Sequence, residues 1–224
     1  VLKAEPGLDD PLAAAAAASE SKDFEEEEAK NSSRGKKQFR VLVETSGSNA
    51  AHDREKLEAF LADATDKGLA SDGVVADSLD KAKRLWRLRE GISDAMTNAG
   101  YVYKYDVSLP LDAMYDLVRQ TRTRVEPFEG AVVAGYGHVA DSNLHLNVCS
   151  TKGKDDHLEA VLEPWVFDMV TAARGSISAE HGVGRCKNDY LATSKPPLVL
   201  ATMRRLKDLF DPNNILNPYK VLPP

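Results

Sequence analysis

Cysteine is nearly missing from this 224-residue chain: it has two, Cys149 and Cys186, with no CxxC spacing. That excludes a disulfide framework and a thiolate zinc site, and it fits a reducing compartment. Long apolar runs are missing too. No window approaches the roughly 20 apolar residues that cross a bilayer, so no membrane insertion is expected, and the first residues have neither the basic start nor the apolar core of a secretory signal. An excess of positive charge is also lacking. With 29 Lys and Arg against 35 Asp and Glu the formal net charge is −6, so nucleic acid and anionic membrane surfaces gain nothing from the overall field. A small anionic substrate stays compatible, because a few local cations decide its binding. No internal repeat is visible. What the chain does have is 42% hydrophobic residues, enough for one domain with a sizeable core and a tight fit for two.

Residues 1–37 combine an alanine run (Ala13 to Ala18), an acidic run (Glu25 to Glu28) and the polar stretch Asn31 to Lys37. Such a composition cannot bury enough apolar surface to offset chain entropy, and we expect a disordered low-complexity segment or loop. The chain opens on Val1 rather than Met, and the expectation is a fragment or a processed form.

From Phe39 the pattern becomes globular. Phe39 to Glu44 reads as a strand ending in the turn-rich Ser46 to Asn49. Asp53 to Lys67 reads as a helix with Leu57, Phe60, Leu61 and Ala64 on one face and Gly68 placed to end it. A short strand Gly73 to Ala76 follows, and then a helix Leu79 to Asn98, capped by Asp77 or Ser78, with Ala82, Leu85, Ile92 and Ala95 or Met96 inward. Tyr101 to Leu109 alternates as a strand. Pro110 opens a helix to about Arg124 that turns Leu111, Met114, Leu117 and Val118 inward. Ala131 to Tyr136 and Leu144 to Cys149 form a hairpin through Gly137 to Asn143. A helix from about Asp155 to Arg174 carries Pro164 as a kink or restart and ends at Gly175. Ser176 to Ser178 is a short strand, and Pro196-Pro197 opens a last helix to Phe210 before an extended tail, Ile215 to Lys220. Strands and helices mix without regular βαβ repeats, which predicts an α+β fold with a mainly antiparallel sheet.

Three stretches hold nearly all the chemistry: His138 to Asn147, Glu180-His181, and Arg89. His145 and Asn147 are two apart on a strand and share a face, and His138 reaches them across the turn. Glu180 from a separate loop would complete a two-histidine, one-carboxylate set that leaves room for a substrate oxygen. The alternative is a hydrogen-bonded histidine pair beside a turn. His181, next to Glu180 in an extended segment, points away from it and suits a general base near neutral pH, or else is solvated in a surface turn. Gly182 and Gly184 let that backbone turn sharply. Arg89 and Ser93 lie four apart on one helix, a fork and a hydroxyl suited to a carboxylate, or part of a solvated basic face with Lys81, Lys83, Arg84 and Arg87. Lys104 shares a strand face with Asp106 and Ser108, opposite the tyrosines, as a site cation, a solvent-facing lysine or the ion-pair partner of Asp106.

The runs GYGHVADSNLHLNV, SISAEHGVGRCK and LFDPNNILNPYKVLP resemble the C-terminal half of FAD-linked 2-hydroxyacid dehydrogenases of the vanillyl-alcohol oxidase superfamily. RLREGIS and YVYKYDVSLP are similar to the members that act on D-2-hydroxyglutarate. The likeness covers about residues 38–224. It implies a ferredoxin-like antiparallel sheet with helices packed on it, 38–195 as the substrate- and metal-binding domain, and 196–224 as a helix and tail returning toward an FAD-binding domain. It further implies that His138, His145 and Glu180 hold a divalent metal, zinc in particular, and that His181 is the base. Arg89, Ser93 and Lys104 would hold substrate carboxylates, Asn147 would touch substrate near the metal, and Asn217 would contact the cofactor. The implied reaction is FAD-dependent oxidation of D-2-hydroxyglutarate to 2-oxoglutarate, in mitochondria, with electron-transfer flavoprotein as acceptor. A D-lactate dehydrogenase-like enzyme and a non-catalytic metal- or carboxylate-binding remnant are the alternatives.

Two departures accompany the resemblance. No Gly-rich flavin-binding segment occurs in this sequence, so the chain by itself is expected to be inactive. Where the family pattern GHxGDGNLH has glycines, this chain carries Ala140 and Ser142, and a positive φ at either would cost about 1 to 3 kcal/mol and threaten the placement of the histidines.

Overall fold

The computed structural model describes residues 39–223, so the low-complexity segment 1–37 lies outside the described residues. These residues form two compact units that divide between Ala95 and Met96. No helix among them is long and apolar enough to cross a membrane.

In the first unit, α1 (Ala50–Asp66) begins earlier than its apolar pattern predicts, because the Asn49 side chain accepts the amides of Ala51 and His52 at 3.1 and 3.2 Å, an N-cap. It ends at Gly68, whose φ is +64°; the amides of Gly68 and Leu69 return to the carbonyls of Thr65 and Ala64, the Schellman closure. Leu57, Leu61 and Ala64 are half-buried, but Phe60, predicted inward, is exposed. Ser78 caps α2 (Leu79–Glu90) as predicted. The single helix expected over 79–98 is two, α2 and α3 (Ile92–Ala99), separated at Gly91, where glycine gives up about 1 kcal/mol of helix preference. The strands expected at Phe39 to Glu44 and Gly73 to Ala76 do not form. β-type residues make a strand only against a paired edge, and neither segment has one among the described residues.

The second unit contains β1 (Tyr101–Ser108), α4 (Leu111–Val125), β2 (Ala131–His138), β3 (Asn143–Ser150), α5 (Asp156–Leu162) and α6 (Trp165–Ala172). The sheet is antiparallel with order β1-β3-β2. The strand expected at Ser176 to Ser178 is reduced to one antiparallel bridge, Ser108 to Ser176, on the outer edge of β1. The chain order is therefore β-α-β-β-α-β with the fourth strand vestigial, and the sheet order 4-1-3-2 is that of a ferredoxin-like sheet. The α+β expectation holds.

Alternation along the strands gives the sheet two unlike faces. Tyr103, Tyr105 and Val107 of β1 and Leu144, Leu146 and Val148 of β3 turn to a core closed by Leu117 and Val118 of α4, Leu158 and Leu162 of α5, and Val166, Phe167 and Val170 of α6. Each such side chain contributes about 1.5 to 3 kcal/mol on full burial. Leu111, predicted inward, is exposed at the start of α4. The Tyr103 hydroxyl donates to the Asp155 carbonyl at 2.7 Å and accepts the Asp155 amide at 2.8 Å, which fixes the capping residue of α5. Pro164 divides α5 from α6, the predicted restart. The left-handed residue closing α6 is Arg174, φ 59°, rather than Gly175. Gly175 is required by proximity, since a Cβ there would stand 2.1 Å from the Ser108 carbonyl oxygen.

A 3-10 turn (Asn188–Tyr190), α7 (Leu191–Ser194) and α8 (Pro197–Phe210) complete the unit. The tail is not extended as expected. Asn214, Asn217, Tyr219 and Val221 all take positive φ, and the first turn is organised by buried Asp211, which accepts the amides of Ile215 and Leu216 at 2.9 Å and pairs with Lys207. The hydrogen bond from Lys207 is the largest influence on Asp211; burial opposes it and the two amides assist, so the carboxyl is held below its ordinary range. A depressed folded value means that the turn's stabilisation is complete above the unfolded aspartate value of about 3.9 and is lost as pH falls through the folded one. The Ile215 and Leu216 amides should stay protected from exchange at neutral pH and lose protection as pH drops below about 3.9, and Asp211→Asn should show the loosened turn at neutral pH.

Candidate active site

The face of the sheet opposite the core is polar, and register assembles it. Cross-strand pairing sets Lys104 beside Asn147 and Asn147 beside Ala134, then Asp106 beside His145 and His145 beside Tyr136, then Ser108 beside Asn143 and Asn143 beside His138. Directly paired residues share a face, so three rows of polar side chains lie on one surface. Strand alternation explains this grouping: apolar residues take the odd positions of β1 and the even positions of β3.

One ligand atom from each of His138, His145 and Glu180 lies within 4.8 Å of the others. His138 Nε2 is 3.7 Å from Glu180 Oε1, and the two imidazoles meet edge to face with centroids 5.7 Å apart. A tetrahedral zinc with ligand distances of about 2.1 Å separates its ligands by about 3.4 Å, so the 3.7 Å separation of His138 from Glu180 and the donor set of two imidazoles and one carboxylate fit such an ion. His138 and Glu180 are about half exposed, while the His145 side chain is 12% exposed. A cation held by these three side chains would therefore be open to solvent on the side of His138 and Glu180.

Glu180-His181 is a tight bend rather than the extended segment predicted. Gly182 at φ 78° and Gly184 at φ 57° turn the chain beyond it, conformations that cost glycine nothing. Its two successive amides, Glu180 and His181, both donate to Asp106 Oδ2 at 2.8 Å. The His181 ring then stacks on His145 with centroids 5.6 Å apart and planes at 21°. Asp106, buried at 2% exposure, also accepts Asn143 Nδ2 at 2.9 Å through Oδ1. Burial by itself would raise its carboxyl; the His181 and Glu180 amides, the Asn143 amide and the His181 ring outweigh burial and hold it below the ordinary range. Lys187 donates to the Asp106 main-chain carbonyl at 3.2 Å. Burial pushes that ammonium below the usual lysine range, opposed by the Asp106 charge.

Asp106 and Lys187 are the residues that sequence reasoning undervalued. Alternation had put Asp106 on the right face, but only as a partner for Lys104. Asn147 is buried, with Nδ2 donating to the Tyr136 hydroxyl at 3.0 Å, and Lys104 is exposed next to it. Arg89 and Ser93 lie in the first unit, at the end of α2 and the start of α3, and are half-buried. Asn217 sits in the C-terminal turns, where its Oδ1 accepts Lys220 Nζ at 3.1 Å.

The connection between β2 and β3 is Val139 to Ser142, and of the two departures from the glycine pattern Ser142 is the one with positive φ, 60°. The histidines are nevertheless brought together, so the strain is carried locally. Replacing Ser142 with glycine removes about 1 to 2 kcal/mol of left-handed cost, offset by about 0.5 to 1 kcal/mol of unfolded-state entropy. Thermal unfolding of Ser142→Gly should therefore show a small rise in Tm. An Ala140→Gly change, at a residue without positive φ, should lower it.

The family model for FAD linked oxidases, C-terminal domain, matches residues 9–221. The mitochondrial D-2-hydroxyglutarate dehydrogenase of Bos taurus is 53% identical over 185 residues, 83% of this chain and 34% of that protein. That of Arabidopsis thaliana is 49% identical over 185 residues, 83% of this chain and 33% of that protein. The D-2-hydroxyglutarate–pyruvate transhydrogenase of Saccharomyces cerevisiae is 40% identical over 192 residues, 82% of this chain and 38% of that protein. The chain spans about a third of the length of the curated relatives it matches first. With a matching family model over most of its length and a sheet of the expected type carrying the histidine hairpin, this chain belongs to the family of FAD linked oxidases, C-terminal domain.

Proposed function

We propose that this chain is the substrate- and metal-binding part of an FAD-dependent D-2-hydroxyacid dehydrogenase that oxidises D-2-hydroxyglutarate to 2-oxoglutarate. The observation that carries the reading is the convergence of His138, His145 and Glu180 within 4.8 Å on the same polar face as Lys104 and Asn147, with His181 stacked against His145. Relatives named for D-2-hydroxyglutarate support the choice of substrate.

His138, His145 and Glu180 would hold a divalent cation, zinc by the character of its donors. Bound FAD supplies the hydride acceptor, and the cation supplies Lewis acidity toward the substrate hydroxyl. His181 takes the C2 hydroxyl proton, a role suited to an imidazole near neutral pH. The bend at Asp106 sets where its ring stands. Lys104 neutralises one carboxylate of the substrate, and Asn147, its amide tied to Tyr136, presents a fixed dipole near the reacting carbon. Arg89 and Ser93 are assigned the other carboxylate, and Asn217 a flavin contact, on the resemblance. The Bos taurus and Arabidopsis thaliana relatives are named as mitochondrial, which supports extending the proposal to that location; the proposal also takes electron-transfer flavoprotein as the oxidant of the reduced flavin.

The test is anaerobic mixing of the complete flavoprotein carrying this chain with D-2-hydroxyglutarate. Flavin absorbance should bleach, with 2-oxoglutarate formed in equal amount. Bleaching by neither D-2-hydroxyglutarate nor D-lactate would sink the reading, and a clear preference for D-lactate would move it to the monocarboxylate alternative.

A further inference from the structure

We propose that Asp106 is the positioning residue of the site, one buried carboxylate that orients both the metal-binding imidazole of His145 and the Glu180-His181 bend. The inference rests on the metal-site reading above and assigns a role to a residue outside the proposed ligand set and outside the proposed substrate contacts.

The two oxygens of the Asp106 side chain face different partners. Oδ2 accepts the amides of Glu180 and His181, both at 2.8 Å, so consecutive residues are fixed by a single acceptor. An anion that collects two successive amides sets the course of a bend much as a bound anion fills a backbone nest. Oδ1 faces the other way, accepting Asn143 Nδ2 at 2.9 Å and standing 3.6 Å from His145 Nδ1. That separation is longer than a hydrogen bond, so the buried carboxylate acts on the ring by its charge, which favours the tautomer that turns Nδ1–H toward it. With Nδ1 protonated toward Asp106, the lone pair offered to a cation is on Nε2. Carboxylates that fix a ligating histidine in this way raise its basicity and orient its ring. The side chain is 3% exposed, so water does not readily replace it in either role.

Asparagine at this position separates the two roles. In Asp106→Asn one oxygen still accepts the two bend amides, while the new NH2 faces Asn143. Asn143 can rotate, because its Oδ1 is buried without a hydrogen-bond partner and is free to accept. His145 alone loses the negative charge that faces its Nδ1. In Asp106→Ala the bend amides lose their acceptor as well.

The experiment uses the 224-residue chain, with three readouts. Nitrogen-correlated NMR of the metal-free chain reports the His145 tautomer. Amide exchange reports Glu180 and His181. Competition with a chromogenic chelator reports zinc affinity. The proposal expects the Nδ1–H tautomer at His145 in the native chain. In Asp106→Asn it expects loss of that preference, zinc affinity lower by about 10- to 100-fold, and retained protection of the two bend amides; in Asp106→Ala that protection is lost too. An Nε2–H tautomer in the native chain overturns the proposal whether or not either variant folds. Native zinc affinity in a folded Asp106→Asn overturns it as well. A native chain that binds no zinc but shows the Nδ1–H tautomer and protected bend amides contradicts the metal reading and leaves the positioning role of Asp106 supported, so the two failures are distinct.

Discussion

Replacing His181 with glutamine in the complete flavoprotein should lower kcat for D-2-hydroxyglutarate by about 10²- to 10⁴-fold, the span over which a positioned general base acts. Glutamine keeps a similar reach and can still hydrogen-bond a hydroxyl, but it cannot accept the proton. The bend survives because it is held through the His181 amide to Asp106, which the substitution leaves in place. His181 is not among the ligands proposed for the metal, so zinc content should be unchanged and KM should move little. A loss confined to kcat separates a base from a binding residue. Equal turnover in the variant, or a loss of metal in step with activity, would show that His181 is not the base.

Lys104→Met should cost about 10- to 100-fold in kcat/KM toward D-2-hydroxyglutarate, the value of a hydrogen bond to a charged group. Turnover of D-lactate, which lacks the second carboxylate, should stay within about threefold. Methionine is close in length and leaves the strand pairing of Lys104 with Asn147 intact, so the change isolates charge. The ratio of the two substrates is the readout. Equal losses for both would place Lys104 in the structure of the site rather than in selection of a dicarboxylate.

The sequence showed the chemistry of the site better than its scaffolding. Strand alternation and hairpin spacing were enough to set His138, His145 and Asn147 on one face, since each is a property of a few adjacent residues. The Glu180-His181 pair stood out for its two flanking glycines, whose positive φ is observed. Asp106 escaped because its role depends on amides 74 and 75 residues away, and no local pattern reports such a partner. The absent strands at Phe39 to Glu44 and Gly73 to Ala76 failed for a related reason: β propensity describes a residue's fitness for a sheet, and pairing needs an edge that the residue does not supply. Gly91 and Ser142 are different again. Each is a backbone event at one position, decided by what surrounds it: the glycine expected at Ser142 marks that position as a risk, whereas the helical pattern runs through Gly91 without a mark.

The proposed metal site takes His138, His145 and Glu180 and leaves His181 outside it. Its most direct test is zinc content of the purified chain beside Glu180→Ala and His181→Gln variants, measured by elemental analysis after equilibration with zinc and removal of the excess. About one zinc per chain is expected in the native protein and in His181→Gln, and nearly none in Glu180→Ala, where a three-residue ligand set has lost its carboxylate. Equal zinc in the native chain and in Glu180→Ala would contradict it.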